Sequence, residues 1–436
     1  MHKPNDSVEV SYIAALIQNK LQNLPCVTEE CCIYRVSKRL VNIYPSVYEP
    51  QLISIGPFHH GREHLKLMEQ FKLQFLLRYL SRLSRRPLSF ETKARKCYED
   101  CAISMNSHDF VHMLLVDGCF VVEFLIASEQ LQTQTTSRVD PLVSKAMNIN
   151  LYHDLILLEN QLPFFVLQGL LYFIDEPNND DSFTVLVNIV HNFFQANFMK
   201  HYCKIPQNIF SPTRKNIRHL VDFLGFYYSP TTTDIINQGN DRLLFLPPST
   251  TELYEAGVIL EKAITTNDHY NIMGISFEGG VLKIPPFEIH DLFEITMRNL
   301  LAFENFQGGS ASESSAIHYI LFLGALISKE KDSSLLMKKG ILSNLIGGSD
   351  EEVSNMFNNI GKGVRFRGHF CYDSTSRNLR KHCDAKSNQW MAILKRDYFN
   401  TPWTITSFIF AVIFALITLL QTTFTIYHTT DKDRHV

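Results

Sequence analysis

The sequence predicts a mainly α protein: a large helical domain, in one body or two lobes, with a small β-hairpin and one C-terminal transmembrane helix. Three observations lead there. Apolar side chains recur at helical spacing along most of the 436 residues. Residues 404–427 carry no charge and are mostly large and apolar, the length a helix needs to cross the hydrocarbon core. Gly279-Gly280 sits between two short alternating runs, the signature of a two-residue hairpin turn.

Residues 1–30 read as an N-terminal helical extension. Asp6 and Glu9 offer a cap, and Ile13, Leu16, Ile17, Leu21 and Leu24 share one face. The main domain is assigned to 31–396. Within it, 61–83 carries Leu65, Met68, Phe71, Phe75, Leu76, Tyr79, Leu80 and Leu83 at helical spacing. Stretches 109–127 and 151–172 are apolar nearly all round, the mark of central core helices. Ser249 with Glu252, and Ser349 with Glu352, form capping-box patterns ahead of helices over 253–263 and 353–360. The hairpin pairs 275–278 with 281–284. Pro285-Pro286 ends its second strand, and a helix is expected over 288–306. Loops are expected at 131–140, 176–182, 229–241 and 308–315. If there are two lobes, the boundary falls near 176–182.

The transmembrane helix is assigned to 404–427, with Trp403 and Tyr427 as interface anchors and 428–436 as a short polar tail. Its Thr and Ser hydroxyls can bond back to helix carbonyls. The polar start, Met1-His2-Lys3-Pro4-Asn5-Asp6, does not read as a signal peptide. The order is that of a tail anchor. Arg377, Arg380, Lys381, Lys386, Lys395 and Arg396 precede the helix. Beyond it, Lys432 and Arg434 are offset by Asp431 and Asp433. The positive-inside rule then places the large domain in the cytosol, at the plasma membrane or an endomembrane.

A net charge of −3 and a pI of about 6.6 lack the clustered basic face that nucleic-acid binding requires. Nine cysteines stand at irregular spacing: Cys26, Cys31, Cys32, Cys97, Cys101, Cys119, Cys203, Cys371 and Cys383. An odd, scattered set does not read as a disulfide framework, so free thiols facing a reducing compartment are expected.

Several stretches in order carry a resemblance. They are Cys31-Cys32-Ile33-Tyr34-Arg35-Val36, the run 50–61 (PQLISIGPFHHG), the run 113–120 (MLLVDGCF), the run 154–165 (DLILLENQLPFF), the run 298–304 (RNLLAFE) and the run 398–403 (YFNTPW). Together they resemble the plant family called domain of unknown function 247, also called uncharacterised protein family 0481, over about 31–427. The resemblance implies a mostly helical plant protein with a C-terminal membrane helix, and supplies no reaction. Some grass members are associated with pollen-side self-incompatibility, which implies recognition or signalling. One departure is Ser37, where the family usually has Pro.

Motifs for chemistry are sparse. His60-Gly61-Arg62-Glu63-His64 spells the H-x-x-E-H of an inverted zinc peptidase helix. Zinc hydrolysis needs both histidines on one helical face and a third ligand. Gly56-Pro57 and Gly61 break the helix at His60, so a polar turn ahead of the 61–83 helix is favoured. His369, Cys371, His382 and Cys383 also suggest zinc, but His382 and Cys383 are adjacent and no C-x-x-C pair accompanies them. Cys97 and Cys101 share a helical face without a partner pair. Gly361-Lys362 lacks the Walker glycine, and there is no G-x-S-x-G elbow. No cofactor, metal or small-molecule substrate is expected.

Charges inside apolar helices are more informative. Asp117 and Glu123 lie in 111–126. Asp154 and Glu159, with Asn160 and Gln161 beside Glu159, lie in 151–167. Arg298 and Glu304 share a third apolar helix. Buried charge is costly unless paired or hydrogen-bonded. One reading is a paired-carboxylate active site. The other is a structural network in which Arg35, Lys38, Arg39 or Arg298 meets the acids and fixes helix register. The second is favoured, because no nucleophile or cofactor motif accompanies the acids. The expected function is therefore non-enzymatic: a membrane-tethered recognition or signalling protein that binds the bilayer and an unidentified protein partner, with loops 131–140 and 229–241 as candidate contacts. The rival is a membrane-bound hydrolase using the buried carboxylates or His59, His60 and His64. A carrier for an apolar ligand is a third reading, suggested only by the Phe-rich helices.

Overall fold

The structure, a computed structural model, describes residues 30–83, 90–99, 105–132, 149–174, 181–197, 217–228, 244–263, 272–307, 315–366, 369–385 and 402–432. The expected N-terminal helix, the lobe boundary and most of the expected loops lie outside these residues. Among the described residues helices dominate. The first eight are α1 (Lys38–Val41), α2 (Lys66–Arg82), α3 (Glu91–Arg95), α4 (Ser107–Gln132), α5 (Ile149–Leu155), α6 (Phe164–Ile174), α7 (Ser182–Asn197) and α8 (Leu220–Gly225). Then come α9 (Thr250–Glu255), α10 (Phe293–Gln307), α11 (Ser315–Leu326), α12 (Glu330–Lys338), α13 (Asp350–Ile360), α14 (Asp373–Asp384) and α15 (Pro402–Lys432). Five short strands are interspersed: β1 (Ile259–Lys262), β2 (Ser276–Glu278), β3 (Val281–Ile284), β4 (Phe287–Ile289) and β5 (Leu342–Asn344).

The centre of the first half is α4. Its residues are apolar on every side, and α2, α6 and α7 pack around it. Phe75, Phe120, Phe124 and Phe193 stack edge and face through this layer, with ring centroids 5.0–5.9 Å apart. In the second half, α10 packs against α8, α11 and α13, while α12 lies across α9 and α13. One continuous apolar core runs through both groups, from Cys32 to Leu379.

Among the described residues, two helices are long and apolar enough to cross a membrane. The first, Ser107–Gln130 within α4, is 83% buried and is the core helix of the head. The second, Thr406–Ile426 within α15, has none of its span buried against protein. There Thr418, Thr422 and Thr425 donate their hydroxyls to the carbonyls of Phe414, Thr418 and Gln421 at 2.7–2.8 Å, so these three hydroxyls are satisfied within the helix. Trp403 is 83% exposed at its start; Tyr427 lies on α15, its side chain outside the described residues.

Both expected capping boxes form. Ser249 and Ser349 accept from the N–H groups of Glu252 and Glu352, whose carboxylates accept in return. The hairpin also forms: β2 and β3 pair antiparallel, and Gly279 and Gly280 turn it at φ 58° and 82°.

Four expectations change. The helix expected over 253–263 stops at Glu255, because Gly257 at φ 83° ends it, and 259–262 instead pairs parallel with β3. The helix expected from 288 starts at Phe293, because 287–289 pairs parallel with β5. The helix expected over 151–172 breaks into α5 and α6. Pro163 cannot continue a helix, and Asn160 and Gln161 bind backbone carbonyls inside the break. The loop expected from 131 does not start there, since α4 reaches Gln132, and the rest of that stretch lies outside the described residues.

Ser37 stands just before α1 at φ −58°, the angle a proline ring imposes, and nothing among the described residues accepts from its N–H. Ser37→Pro should therefore raise stability by about 0.5–1 kcal/mol in a urea melt by removing freedom from the unfolded chain. A loss of stability would show that the local geometry rejects the ring.

Candidate functional site: a buried polar clamp

Residues 42–62 form little regular structure, yet much of the stretch is buried. Buried N–H groups without ladder partners need acceptors from elsewhere. The polar residues of α4, α5 and the α5–α6 break provide them.

Asp154, fully buried, accepts from the N–H groups of Gln51, Leu52 and Ile53 at 2.7–2.8 Å and from His153 Nδ1 at 2.8 Å. Because a carboxylate only accepts, that histidine nitrogen carries the proton. Asn160 accepts from Ile55 N–H at 2.6 Å and donates to the carbonyls of Ile53 and Asp154. Glu159 accepts from Val36 N–H at 2.7 Å and meets Arg35 at 3.5 Å. Gln161 binds the carbonyls of Leu155 and Leu157 and accepts from Leu220 N–H, closing the break onto α8.

Asp117 accepts from Gly56 N–H at 2.9 Å and from Lys72 Nζ at 2.6 Å. Lys72 is fully buried and also reaches Glu69 at 2.6 Å and Ser54 at 3.3 Å. Gly56 sits at φ 78°, and a Cβ there would come 2.6 Å from the Gln161 carbonyl, so only glycine fits. Glu123 forms a separate site, held by Arg78 at 3.0 Å and Arg82 at 2.9 Å.

The expected single network is therefore several sites. Of the four cations proposed from the sequence, only Arg35 meets one of the acids. Lys38 and Arg39 are exposed. Arg298 pairs with Glu294 at 2.7 Å, lies 3.9 Å from the Tyr44 ring centroid and faces the last carbonyls of α13. Glu304 accepts from Ala316 and Ile317 N–H at the start of α11. The true partners Lys72, Arg78 and Arg82 all lie on α2. Lys72 had a legible signal, since it falls on the same stripe as Met68, Phe75 and Tyr79.

Burial raises the carboxyls of Asp117, Glu123 and Glu159, against the pull of Lys72, of Arg82 and Arg78, and of the Val36 N–H. His59 lies 3.6 Å from Glu159 with neither ring nitrogen hydrogen-bonded, and burial pulls it down to about 3. It is neutral, so this approach is not an ion pair. In the H-x-x-E-H pattern itself, His60 and Glu63 are exposed, and His64 faces the Pro50 carbonyl at 3.2 Å. No group of three or more His, Cys, Asp or Glu side chains among the described residues is placed to hold a metal ion. His382 stacks edge-on against Phe277.

His318 on α11 is also buried without a partner, between Phe366 and Phe370, and burial pulls it down to about 4. A depressed histidine contributes stability fully above its unfolded value of about 6.5, and this is lost as the pH falls towards about 4. The raised carboxyls act with the opposite sign, equally in wild type and variant. His318→Phe should thus lose about 2 kcal/mol less than wild type between pH 7 and pH 5 in urea melts. Parallel pH profiles would contradict it.

The runs 50–61 and 154–165, unremarkable apart, are hydrogen-bonding partners of each other. The profile of DUF247, described as a plant protein of unknown function, matches residues 33–417. The chain belongs to this plant family. It is 27% identical to the UPF0481 protein At3g47200 of Arabidopsis thaliana, over 91% of this chain and 86% of that one. It is 21% identical to the UPF0481 protein At3g02645 of the same plant, over 89% of each. No solved structure matches. In this DUF247 chain, the stretches that carried the resemblance include both halves of the clamp.

Proposed function

We propose that this DUF247 chain is a membrane-tethered component of protein recognition or signalling in plant cells, and that it is not an enzyme. The helical head sits on the cytosolic side of the plasma membrane or an endomembrane, held there by 406–426. The observation that carries this reading is how the buried acids are used. Asp117, Asp154 and Glu159 each take main-chain N–H groups of 36–56, and Glu123 takes two arginines. A general acid or base needs a lone pair or proton directed at a substrate. Here those positions hold the fold. A head whose buried acids are committed to the fold works through its surface, and the stretches 131–140 and 229–241, which lie almost wholly outside the described residues, are the candidate contacts.

The test is photo-crosslinking in native plant membranes, with a benzophenone side chain placed in turn at positions in those two loops and, as control, at exposed Tyr254. One protein adduct from loop positions and none from the control is expected. Stoichiometric zinc retained by the full chain in detergent after chelation would overturn the proposal in favour of a hydrolase.

A further inference from the structure

Two buried thiols meet where the start of the clamp passes residues 94–99. Ile33 and Tyr98 form a parallel bridge: Ile33 N–H donates to the Cys97 carbonyl at 2.9 Å, and Glu99 N–H to the Ile33 carbonyl at 3.1 Å. Cys32 N–H shares the Cys97 carbonyl at 2.9 Å. Cys32 and Cys97 directly precede the bridged pair, Cys97 in the turn that follows α3, and the two are joined main chain to main chain by that bond. A direct N–H···O=C bond between two residues brings their Cα atoms to roughly the 4.4–6.8 Å that a disulfide spans. The two thiols lie close enough to perturb each other's ionisation, and Cys97 Sγ donates to the Lys93 carbonyl at 3.5 Å. Both are free cysteines, 3% and 7% exposed. Cys32 is further held by its carbonyl, which accepts from His219 Nε2 at 3.1 Å.

We propose that Cys32 and Cys97 are an oxidisable dithiol whose disulfide staples the start of the clamp segment to residues 94–99. The proposal does not depend on the recognition reading. Cys97 is the more exposed of the two, and its thiol is lowered by the neighbouring Cys32 first and the Lys93 charge after it, while Cys32 is raised. Cys97 is therefore the first nucleophile and Cys32 the resolving thiol. A hydroperoxide is the oxidant. The Cys97 thiolate attacks one peroxide oxygen, the O–O bond breaks, and Cys97 becomes a sulfenic acid as the leaving oxygen takes a proton. The Cys32 sulfur then attacks the Cys97 sulfur. The S–S bond forms, the S–O bond breaks, and hydroxide leaves as water with the Cys32 proton. Two thiols lose two electrons and two protons, and the peroxide is reduced to water and an alcohol, or to two waters from hydrogen peroxide. The closed loop encloses the stretch that Asp117, Asp154 and Glu159 hold.

The full chain in detergent is treated with hydrogen peroxide, quenched with N-ethylmaleimide and digested without reduction. Mass spectrometry should find the Cys32–Cys97 linked peptides, lost on reduction, and the oxidised protein should melt about 5 °C higher. Fragmentation between Cys31 and Cys32 identifies the linked sulfur. In Cys32→Ser, dimedone should trap Cys97 as the sulfenic acid. A link through Cys31, direct oxidation of wild-type Cys97 to sulfinic acid, or recovery of both thiols as maleimide adducts overturns the proposal.

Discussion

Asp117→Ala should destabilise the head by about 3–5 kcal/mol, because it leaves the fully buried Lys72 with the half-exposed Glu69 as its one remaining carboxylate and strands the Gly56 N–H. That is a large share of the roughly 5–15 kcal/mol that holds a typical domain together. Removing both charges is a different experiment. Lys72→Met with Asp117→Leu keeps volume and deletes the unpaired charge, so the pair should cost clearly less than the two single changes added together. Thermal and urea melts of the full chain in detergent provide the comparison. An unchanged melt for Asp117→Ala would show that this acid does not hold the fold.

Asp154→Ala should cost about 3–4 kcal/mol, with a local signature. It leaves Ile53 N–H buried without its acceptor, Leu52 N–H half-buried, and His153 Nδ1 unpaired, at about 1–3 kcal/mol for each buried group. Hydrogen exchange should rise sharply at 50–58 before the rest of the head responds. Asp154→Asn keeps one acceptor oxygen and should fall between wild type and Ala. Uniform loss of protection across the head would contradict a clamp specific to 50–58.

Much of the fold was legible because its signals are local. Capping boxes at Ser249 and Ser349, the Gly279-Gly280 turn and the apolar circumference of α4 are decided within a few residues. The strands 259–262 and 287–289 were not, because the partner of the second, 342–344, is distant in sequence and both are too short to alternate clearly. The break at 156–163 was hidden by its leucines, although Asn160, Gln161 and Pro163 announce it in physical terms. The acids were legible as buried polar groups. Their partners were sought among side chains, whereas Asp154 binds main-chain N–H groups, a demand that arises from burying an irregular segment and leaves no residue-type signature. The pairing of Cys32 with Cys97 was hidden for the same reason, since only tertiary structure places those two segments side by side.

The membrane arrangement is tested most directly by protease protection. The full chain, tagged at both ends, is expressed in plant cells, and sealed vesicles are digested from the cytosolic side. The expected result is a digested N-terminal tag and head, with a protected fragment that carries the C-terminal tag and spans 406–426. A protected head, glycosylated at Asn5 of the acceptor sequence Asn5-Asp6-Ser7, would contradict the cytosolic placement and turn the search towards partners on the opposite face of the membrane.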